Sequence, residues 1–438
     1  MSESGQFSLL RQRRFAPFFL TQFLGAFNDN LFKNALVVLL TFKAAGWTRL
    51  APELLANLAA GLFILPFFLF SATAGQLADK YDKAALTRWV KVLEMLIMGV
   101  AIVGFIVHSL PLLLLALFLL GTHSTLFGPV KYAILPQHLQ ADELIGGNAL
   151  VEAATFMAIL LGTLVGGLLA ASDLPAWWIA LGGLLVAAAG YLSSCAIPLA
   201  PADDASLLIS RNPLAETWRN IAFARRQGSV FVAILAISWF WLYGALFLAQ
   251  FPLYARKVLG GSEATVTLLL AVFSAGIGIG SLCCERLSGK RLELGLVPLG
   301  ALGLSLFALD LWLASPTALA GHDPHALRAL LSLPVMWRVL ADLTLLGVFG
   351  GFFIVPLYTL IQLRSDVAHR ARLIAANNIF NALFMVLGAL GAASLLGAGL
   401  SIPALFAGAA GLNALLALAL CWWQPEYPLR LMAWLRRQ

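Results

Sequence analysis

Runs of about 20 apolar residues, the length a helix needs to cross roughly 30 Å of hydrocarbon, recur from near the N-terminus of this chain to Trp423. They predict helices over 15–42, 54–78, 89–107, 110–128, 144–171, 176–197, 230–254, 264–282, 294–314, 335–361, 374–396 and 402–423. Backbone groups in lipid need internal hydrogen bonds, so helices are the expected spanning elements. The longest polar stretch, Pro198 to Ser229, divides the runs six and six. The expected fold is an all-α membrane protein with twelve transmembrane helices in two six-helix halves, 1–198 and 230–424. A cytoplasmic linker, 199–229, joins them and carries an amphipathic helix around Pro213 to Arg226. In the tail, 425–438, Leu429, Leu431, Met432, Trp434 and Leu435 lie among arginines, the pattern of a short cytoplasmic interfacial segment.

Composition agrees: 61% of the 438 residues are hydrophobic and 11% charged, with a mean hydropathy of +0.89. No single water-soluble core hides that much apolar surface. The net charge of +7 sits in short runs between apolar segments and so argues against a nucleic-acid partner. With both termini cytoplasmic, 21 basic residues fall inside and six outside (Lys43, Arg49, Arg256, Lys257, Arg328 and Arg338), while Lys33 stands in mid-membrane. That asymmetry sets the orientation. Cys195, Cys283, Cys284 and Cys421 show no metal-ligand spacing and read as reduced structural residues. A phosphate-binding Gly-x4-Gly-Lys loop, a Gly-x-Ser-x-Gly elbow and a His-Glu-x-x-His pair are all missing. His138 is followed five residues on by Glu143, so an acyltransferase His-x4-Asp is missing too. Neither an enzyme nor a cofactor is expected.

A charge inside a membrane helix costs around 2.5 to 3.5 kcal/mol on insertion scales and is a functional hypothesis by default. Gln22, Asn28, Asp29, Asn30, Lys33 and Asn34 crowd the 15–42 helix. Gln22, Asp29 and Lys33 share a stripe of roughly 40°, with Asn30 and Asn34 beside it. Such a stripe lines a cavity, where a carboxylate and an ammonium suit a zwitterionic substrate, or it is a neutralising i,i+4 ion pair. Asn148, Glu152 and Thr155 share a face of the 144–171 helix, and Asn377 and Asn381 stand at matching places in 374–396. They either line the cavity or hydrogen-bond between helices. Lys131 is an anion contact or a snorkelling lysine. Trp239, Tyr243, Leu246 and Gln250 form an aromatic and apolar wall in 230–254, which is packing or a surface for an acyl chain. Gly162/Gly166 and Gly276/Gly280 predict close helix packing.

The halves echo one another, as transporter repeats do. Gly75-Gln-Leu-Ala-Asp79-Lys80 is echoed by Ser281-Leu-Cys-Cys-Glu285-Arg286, and Pro129, Asn148 and Glu152 by Pro356, Asn377 and Asn381. Gly75 to Lys83 resembles the loop signature of the major facilitator superfamily, in the place where that family carries it. The resemblance implies its two-halved fold, with the helices at 15–42, 144–171, 230–254 and 374–396 around a central cavity. Asp79, Lys80 and Lys83, with Glu285 and Arg286 in the echo, would be gating residues that hold one conformation.

The strings Gln22-Phe-Leu-Gly-Ala-Phe-Asn-Asp-Asn30, Gly128-Pro-Val-Lys-Tyr-Ala-Ile-Leu135, Asn148-Ala-Leu-Val-Glu-Ala153 and Gly350-Gly-Phe-Phe-Ile-Val-Pro-Leu357 together resemble the bacterial lysophospholipid transporter family. That likeness implies a flippase carrying lysophospholipids, chiefly lysophosphatidylethanolamine, across the inner membrane to the cytoplasmic leaflet for re-acylation by alternating access. It gives Asp29, Asn30, Lys131 and Glu152 headgroup or gating roles. It also implies a separate acyltransferase or acyl-ligase as partner, and a monomer among membrane lipids is expected. Some members carry a basic residue in the 230–254 helix, where this chain has Leu246, Leu248 and Gln250. A proton-coupled exporter of amphipathic small molecules is the competing reading, since a buried Asp29 or Glu152 can act as a protonation switch; a membrane scaffold is a third.

Overall fold

The computed structural model describes residues 5–42, 52–316 and 326–436; Lys43, Arg49 and Arg437 of the orientation count lie outside them. Its long helices are α1 (Ala16–Phe42), α2 (Pro52–Lys80), α3 (Lys83–Ile106), α4 (Leu110–Ala133), α6 (Leu144–Ala171), α7 (Trp177–Cys195), α9 (Ser229–Lys257), α10 (Glu263–Ser288), α11 (Leu296–Ala314), α13 (Pro334–Arg364), α14 (Arg370–Gly397) and α15 (Ile402–Trp423). Between and after them lie the shorter α5 (Leu135–His138), α8 (Pro213–Ala224), α12 (Leu327–Leu331) and α16 (Glu426–Leu435). Eleven of the long helices are apolar enough to cross a membrane. The twelfth, α1, is set apart by its polar run from Asn28 to Asn34. The described residues thus hold twelve long helices, as an all-α membrane protein of two six-helix halves would require.

Several helices outrun the hydrophobic segments that announce them. The expected start at 89 moves to Lys83, because Asp82 caps α3 by accepting from Ala85 N at 2.7 Å while its other oxygen accepts from Ala200 N at 2.8 Å. A polar first turn is tolerated there because the linker covers it. Likewise α4 runs through Pro129 to Ala133 and α14 begins at Arg370 rather than 374. The amphipathic helix of the linker is α8, capped by Asn212 onto Ala215 N at 3.0 Å. In α16, Tyr427 is buried and Trp434 Nε1 donates to Leu287 O at 2.8 Å, leaving Leu429, Met432 and Leu435 exposed.

The chain forms two compact units. One gathers 1–147, 157–228 and 361–382, and the other 148–156, 229–360 and 383–438. In the first, α2 packs on α4, α3 on α7 and α1 on α7, around a core that includes Phe32, Leu36, Met98, Phe105, Leu117 and Ile179. Gly162 and Gly166 of α6 bring that helix onto the carbonyls of Phe27 and Leu31 in α1, where a Cβ has no room. In the second unit α11 packs on α15 and α9 on α10, and Gly276 and Gly280 meet the carbonyls of Thr344 and Val348 in α13 in the same manner.

Candidate functional site

The polar run of α1 meets ionisable groups on α3 and α4. Asn28 Nδ2 donates to Glu94 Oε1 at 2.7 Å, and Lys91 Nζ donates to Glu94 Oε2 at 2.6 Å. His123 Nε2 stands 3.2 Å from Glu94 Oε2, and its Nδ1 stands 3.8 Å from Asp29 Oδ1. Ser124 Oγ donates to Asp29 Oδ2. The side chains of Lys91 and Glu94 are fully buried, whereas that of Asp29 is 14% exposed. The network is thus fully buried at Glu94 and slightly less so at Asp29.

Lys33, one turn beyond Asp29, directs its ammonium over the Phe63 ring of α2, 4.9 Å from the centroid. Among the described residues no ion pair within 4.0 Å joins Asp29 to Lys33, although the i,i+4 spacing allows one; each has been drawn to another helix. Gln22 is buried, Asn30 Nδ2 turns back to Ala26 O at 2.8 Å, and Asn34 Nδ2 crosses to Thr163 O at 2.8 Å.

Lys91, Glu94, His123 and Ser124 escape the sequence reading. With the helix begun at 89, Lys91 belongs to its basic rim; begun at Lys83, it lies two turns inside. The signal available was the cost of an ionisable side chain in an apolar run, which applies to His123 and Glu94 as to Asp29.

A second constellation surrounds Asp79 at the end of α2. Its carboxylate, with no exposed surface, accepts from Ala371 N at 3.0 Å and Arg372 Nε at 2.9 Å, at the start of α14. Gly75 makes the approach possible: Ala371, Arg372 and Ala375 occupy the space that a Cβ there would need. Asp79 O accepts from Asp204 N at 2.9 Å. Nearby, the buried Lys83 ammonium lies 3.0 Å from Asp203 Oδ2, whose other oxygen accepts from Gln137 Nε2 at 2.7 Å. From α8, Asn220 Nδ2 donates to Arg372 O at 2.8 Å, and Phe223 stacks on His369. Lys80 lies 5.9 Å from the Tyr81 ring.

Near the start of the linker, where the His138 ring approaches Leu199 O at 3.3 Å, Arg14 clasps both oxygens of Glu143 at 2.6 and 2.5 Å. The bond from Arg14 holds the Glu143 carboxyl below the usual carboxylate range, and the Arg14 guanidinium is raised by its bond to Glu143. Lys131 sits at the last turn of α4, 5.2 Å from the Tyr132 ring, whose backbone oxygen accepts from Gln362 Nε2 at 3.0 Å. Asn377 is fully buried and Asn381 nearly so.

In the second unit, Asn148 Nδ2 donates to Thr359 Oγ1 at 3.1 Å, and Glu152 is fully buried. Two rings of the aromatic wall of α9 bond to neighbouring helices. Tyr243 is 1% exposed with its hydroxyl donating to Leu304 O at 2.8 Å, and Trp239 Nε1 donates to Asn413 Oδ1 at 2.8 Å. These two rings fasten α9 to α11 and α15, since a buried phenol takes a hydrogen-bond partner where one is offered. Leu246 is half-buried and Gln250 buried. Another aromatic face of α9, not singled out by the sequence reading, carries Trp241, stacked on Phe156 and donating to Tyr358 Oη at 3.1 Å. Glu285 and Arg286 close α10, where Lys290 N donates to Glu285 O at 3.1 Å and Arg286 is exposed. Among the described residues no three His, Cys, Asp or Glu side chains gather as metal ligands.

Comparison with known proteins follows the same lines. The family model described as Major Facilitator Superfamily matches residues 18–333. A lysophospholipid transporter LplT from Citrobacter koseri is 29% identical over 421 residues, covering 92% of this chain and 94% of that protein. LplT from Escherichia coli O127:H6 is 29% identical over 429 residues, covering 93% and 95%. Among solved structures, the Escherichia coli fucose:proton symporter FucP matches with a TM-score of 0.68 at 15% identity, covering 93% of this chain and 98% of that one. The human organic anion transporter MFSD10 matches with 0.68 at 15% identity, covering 92% and 99%. At such identities the solved structures speak for the fold alone.

Proposed function

The chain belongs to the major facilitator superfamily, a family of transporters and not enzymes, and on that premise we propose that it flips lysophospholipids, chiefly lysophosphatidylethanolamine, across a bacterial inner membrane by alternating access. The lipid moves to the cytoplasmic leaflet, where a separate acyltransferase or acyl-ligase restores its second chain. The chain works as a monomer with both termini cytoplasmic, as the basic-residue asymmetry favours.

One observation carries the substrate class. Asp29 and Lys33 lie one turn apart on α1 yet do not neutralise each other: the carboxylate is held by Ser124 and His123, the ammonium over Phe63. A separated anion and cation on one helix face complement a headgroup with an ammonium at one end and a phosphate near it. An uncharged sugar would leave both unpaired. Gln22, Asn30, Lys131, Asn148, Glu152, Asn377 and Asn381 supply further polar contacts, while Asp79, Lys80, Lys83, Glu285 and Arg286 gate the cycle. No acyl path is assigned to Trp239 and Tyr243, which are spent on packing; Leu246 remains available to a lipid tail.

The test is flipping of labelled lysophosphatidylethanolamine in proteoliposomes. Wild-type protein is expected to move the label well above protein-free vesicles, and Asp29→Asn and Lys33→Ala to abolish most of that movement while remaining folded. Movement no faster than in protein-free vesicles refutes the reading. Proton-coupled export of amphipathic molecules is the second reading, favoured by His123 between two carboxylates. Flipping that requires an imposed proton gradient and runs outward would select it.

A further inference from the structure

The network below Asp29 holds more ionisable groups than headgroup recognition needs, and its arrangement is that of a charge that can be filled in two ways. The His123 side chain is 2% exposed, with a carboxylate near each ring nitrogen, Glu94 at 3.2 Å and Asp29 at 3.8 Å. Neither nitrogen makes an aligned hydrogen bond. The helices packed most closely on α4 are α1, α2, α3 and α5; near its last turns α4 also meets Gln362 of α13 and Asn378 of α14, both uncharged. From α1 the charged groups are Asp29 and Lys33, and from α3 they are Lys91 and Glu94. Between residues 57 and 78, α2 brings no ionisable side chain, and α5 brings only His138, beyond the far end of α4. On α4 itself Lys131 is eight residues away, about 12 Å along the helix.

With a neutral imidazole, Lys91 is the only cation within 4.0 Å of either carboxylate among the described residues, and it pairs with Glu94. Lys91 is committed to Glu94 at 2.6 Å, and Lys33 is turned to Phe63. The carboxylate left without a cation within 4.0 Å is therefore Asp29, the less buried end. Burying it is costly, so it is neutralised from within or from without.

We propose that His123 is a proton-binding site, and that a proton on its imidazole and the ammonium of a headgroup at Asp29 exclude one another. The ligand half rests on the lysolipid reading above; the proton half does not. A proton from water reaches the Asp29 carboxylate, and Asp29 Oδ1 passes one on to His123 Nδ1. The O–H bond breaks as the N–H bond forms, the carboxylate is regenerated, and an imidazolium stands between two carboxylates. When the ammonium of the lipid arrives at Asp29, the proton leaves by the same path. Asp29 is thus the shared port and His123 the internal occupant.

The experiment is nitrogen-15 histidine NMR of the full chain in nanodiscs between pH 8 and pH 5, paired with lysolipid affinity over the same range. The resonance missing from His123→Gln identifies the site. Its signals are expected to pass from the neutral to the protonated imidazole pattern as the pH falls, and Glu94→Gln, which removes one of the flanking anions, makes that change harder. A His123 that keeps one charge state throughout overturns the proposal. Affinity for lysophosphatidylethanolamine is expected to fall about tenfold per pH unit below the midpoint, as strict competition requires. Lysophosphatidylglycerol, which has no ammonium, does not lose affinity, and His123→Gln is flat with both. A titrating His123 with pH-independent lysophosphatidylethanolamine affinity overturns the exclusion and leaves the lysolipid reading intact. A titrating His123 in a protein that binds neither lysolipid sinks that reading, and the exclusion with it, while the proton site stands.

Discussion

Replacing Asp79 by alanine removes two acceptors at once, for Ala371 N at 3.0 Å and Arg372 Nε at 2.9 Å. A hydrogen bond to a charged group contributes about 1.5–3 kcal/mol, and breaking a buried ion pair costs about 3–5 kcal/mol when the abandoned charge stays buried. Here the guanidinium keeps a bond to Ala368 O at 2.7 Å, and its side chain is 16% exposed. The lower end therefore applies, about 3 kcal/mol, or roughly a hundredfold in the equilibrium for releasing the first turns of α14 from α2. Hydrogen exchange of peptides covering 366–382 reads that opening directly. Asp79→Ala is expected to speed exchange there about a hundredfold, and Asp79→Asn by less, since one oxygen still accepts from Ala371 N. Arg372→Ala combined with Asp79→Ala should cost less than the two changes summed, with a coupling of at least 1 kcal/mol. Unchanged exchange in Asp79→Ala, or full additivity in the pair, would refute the reasoning.

Gly75→Val places a branched side chain where Ala371, Arg372 and Ala375 already sit; exchange in 366–382 should rise as in Asp79→Ala, while the core peptides around Leu117 keep their protection. Tyr243→Phe abandons the Leu304 carbonyl and should lower stability by about 1 kcal/mol in denaturant titration, with equal transport losses for long-chain and short-chain lysolipids; a loss confined to long chains would return Tyr243 to the acyl path. For Glu143 the folded carboxyl titrates below its ordinary value, so the Arg14 pair stabilises above that ordinary value and the contribution fades as pH falls through the folded one. Glu143→Gln should therefore cost about 0.5–1 kcal/mol at pH 7 and close to nothing near pH 3, the pair being partly exposed; a cost that persists at pH 3 counts against the ion pair as its source.

The twelve helices were legible because lipid imposes one length on every span, and the stripe of α1 because five polar side chains in one apolar run cannot all face lipid. Less legible was where the helices end. Hydropathy sees only the apolar stretch, so the start of α3 appeared six residues late and Lys91 looked like a flanking base rather than a buried partner of Glu94. Identifying His123 required knowing which turn of α4 faces α1, a rotation that no periodicity in a helix apolar all round specifies. Tyr243 and Trp239 share a face by spacing, but spacing does not say whether that face meets a ligand or α11 and α15. Asp79 was legible as a motif, whereas its partners Ala371 and Arg372 lie nearly 300 residues downstream and follow from tertiary structure only.

The strap from Ala200 to Asn212 also bears on how this chain can be cut and tagged. Its first part is fastened at Ala200 by Asp82, at Asp203 by Lys83 and Gln137, and at Asp204 by Asp79, and its last part at Ser210 by Gln76. Between them Leu208 is 87% exposed. Severing the backbone at 206–208 would leave the end of the first fragment fastened to its own helices and keep Ser210 as a bond from the second fragment to Gln76 of the first, so two separately expressed pieces retain a contact that guides docking. A reporter inserted at 203 or 204 would instead loosen the partners of Lys83 and Asp79, and its signal would describe a protein altered by the probe.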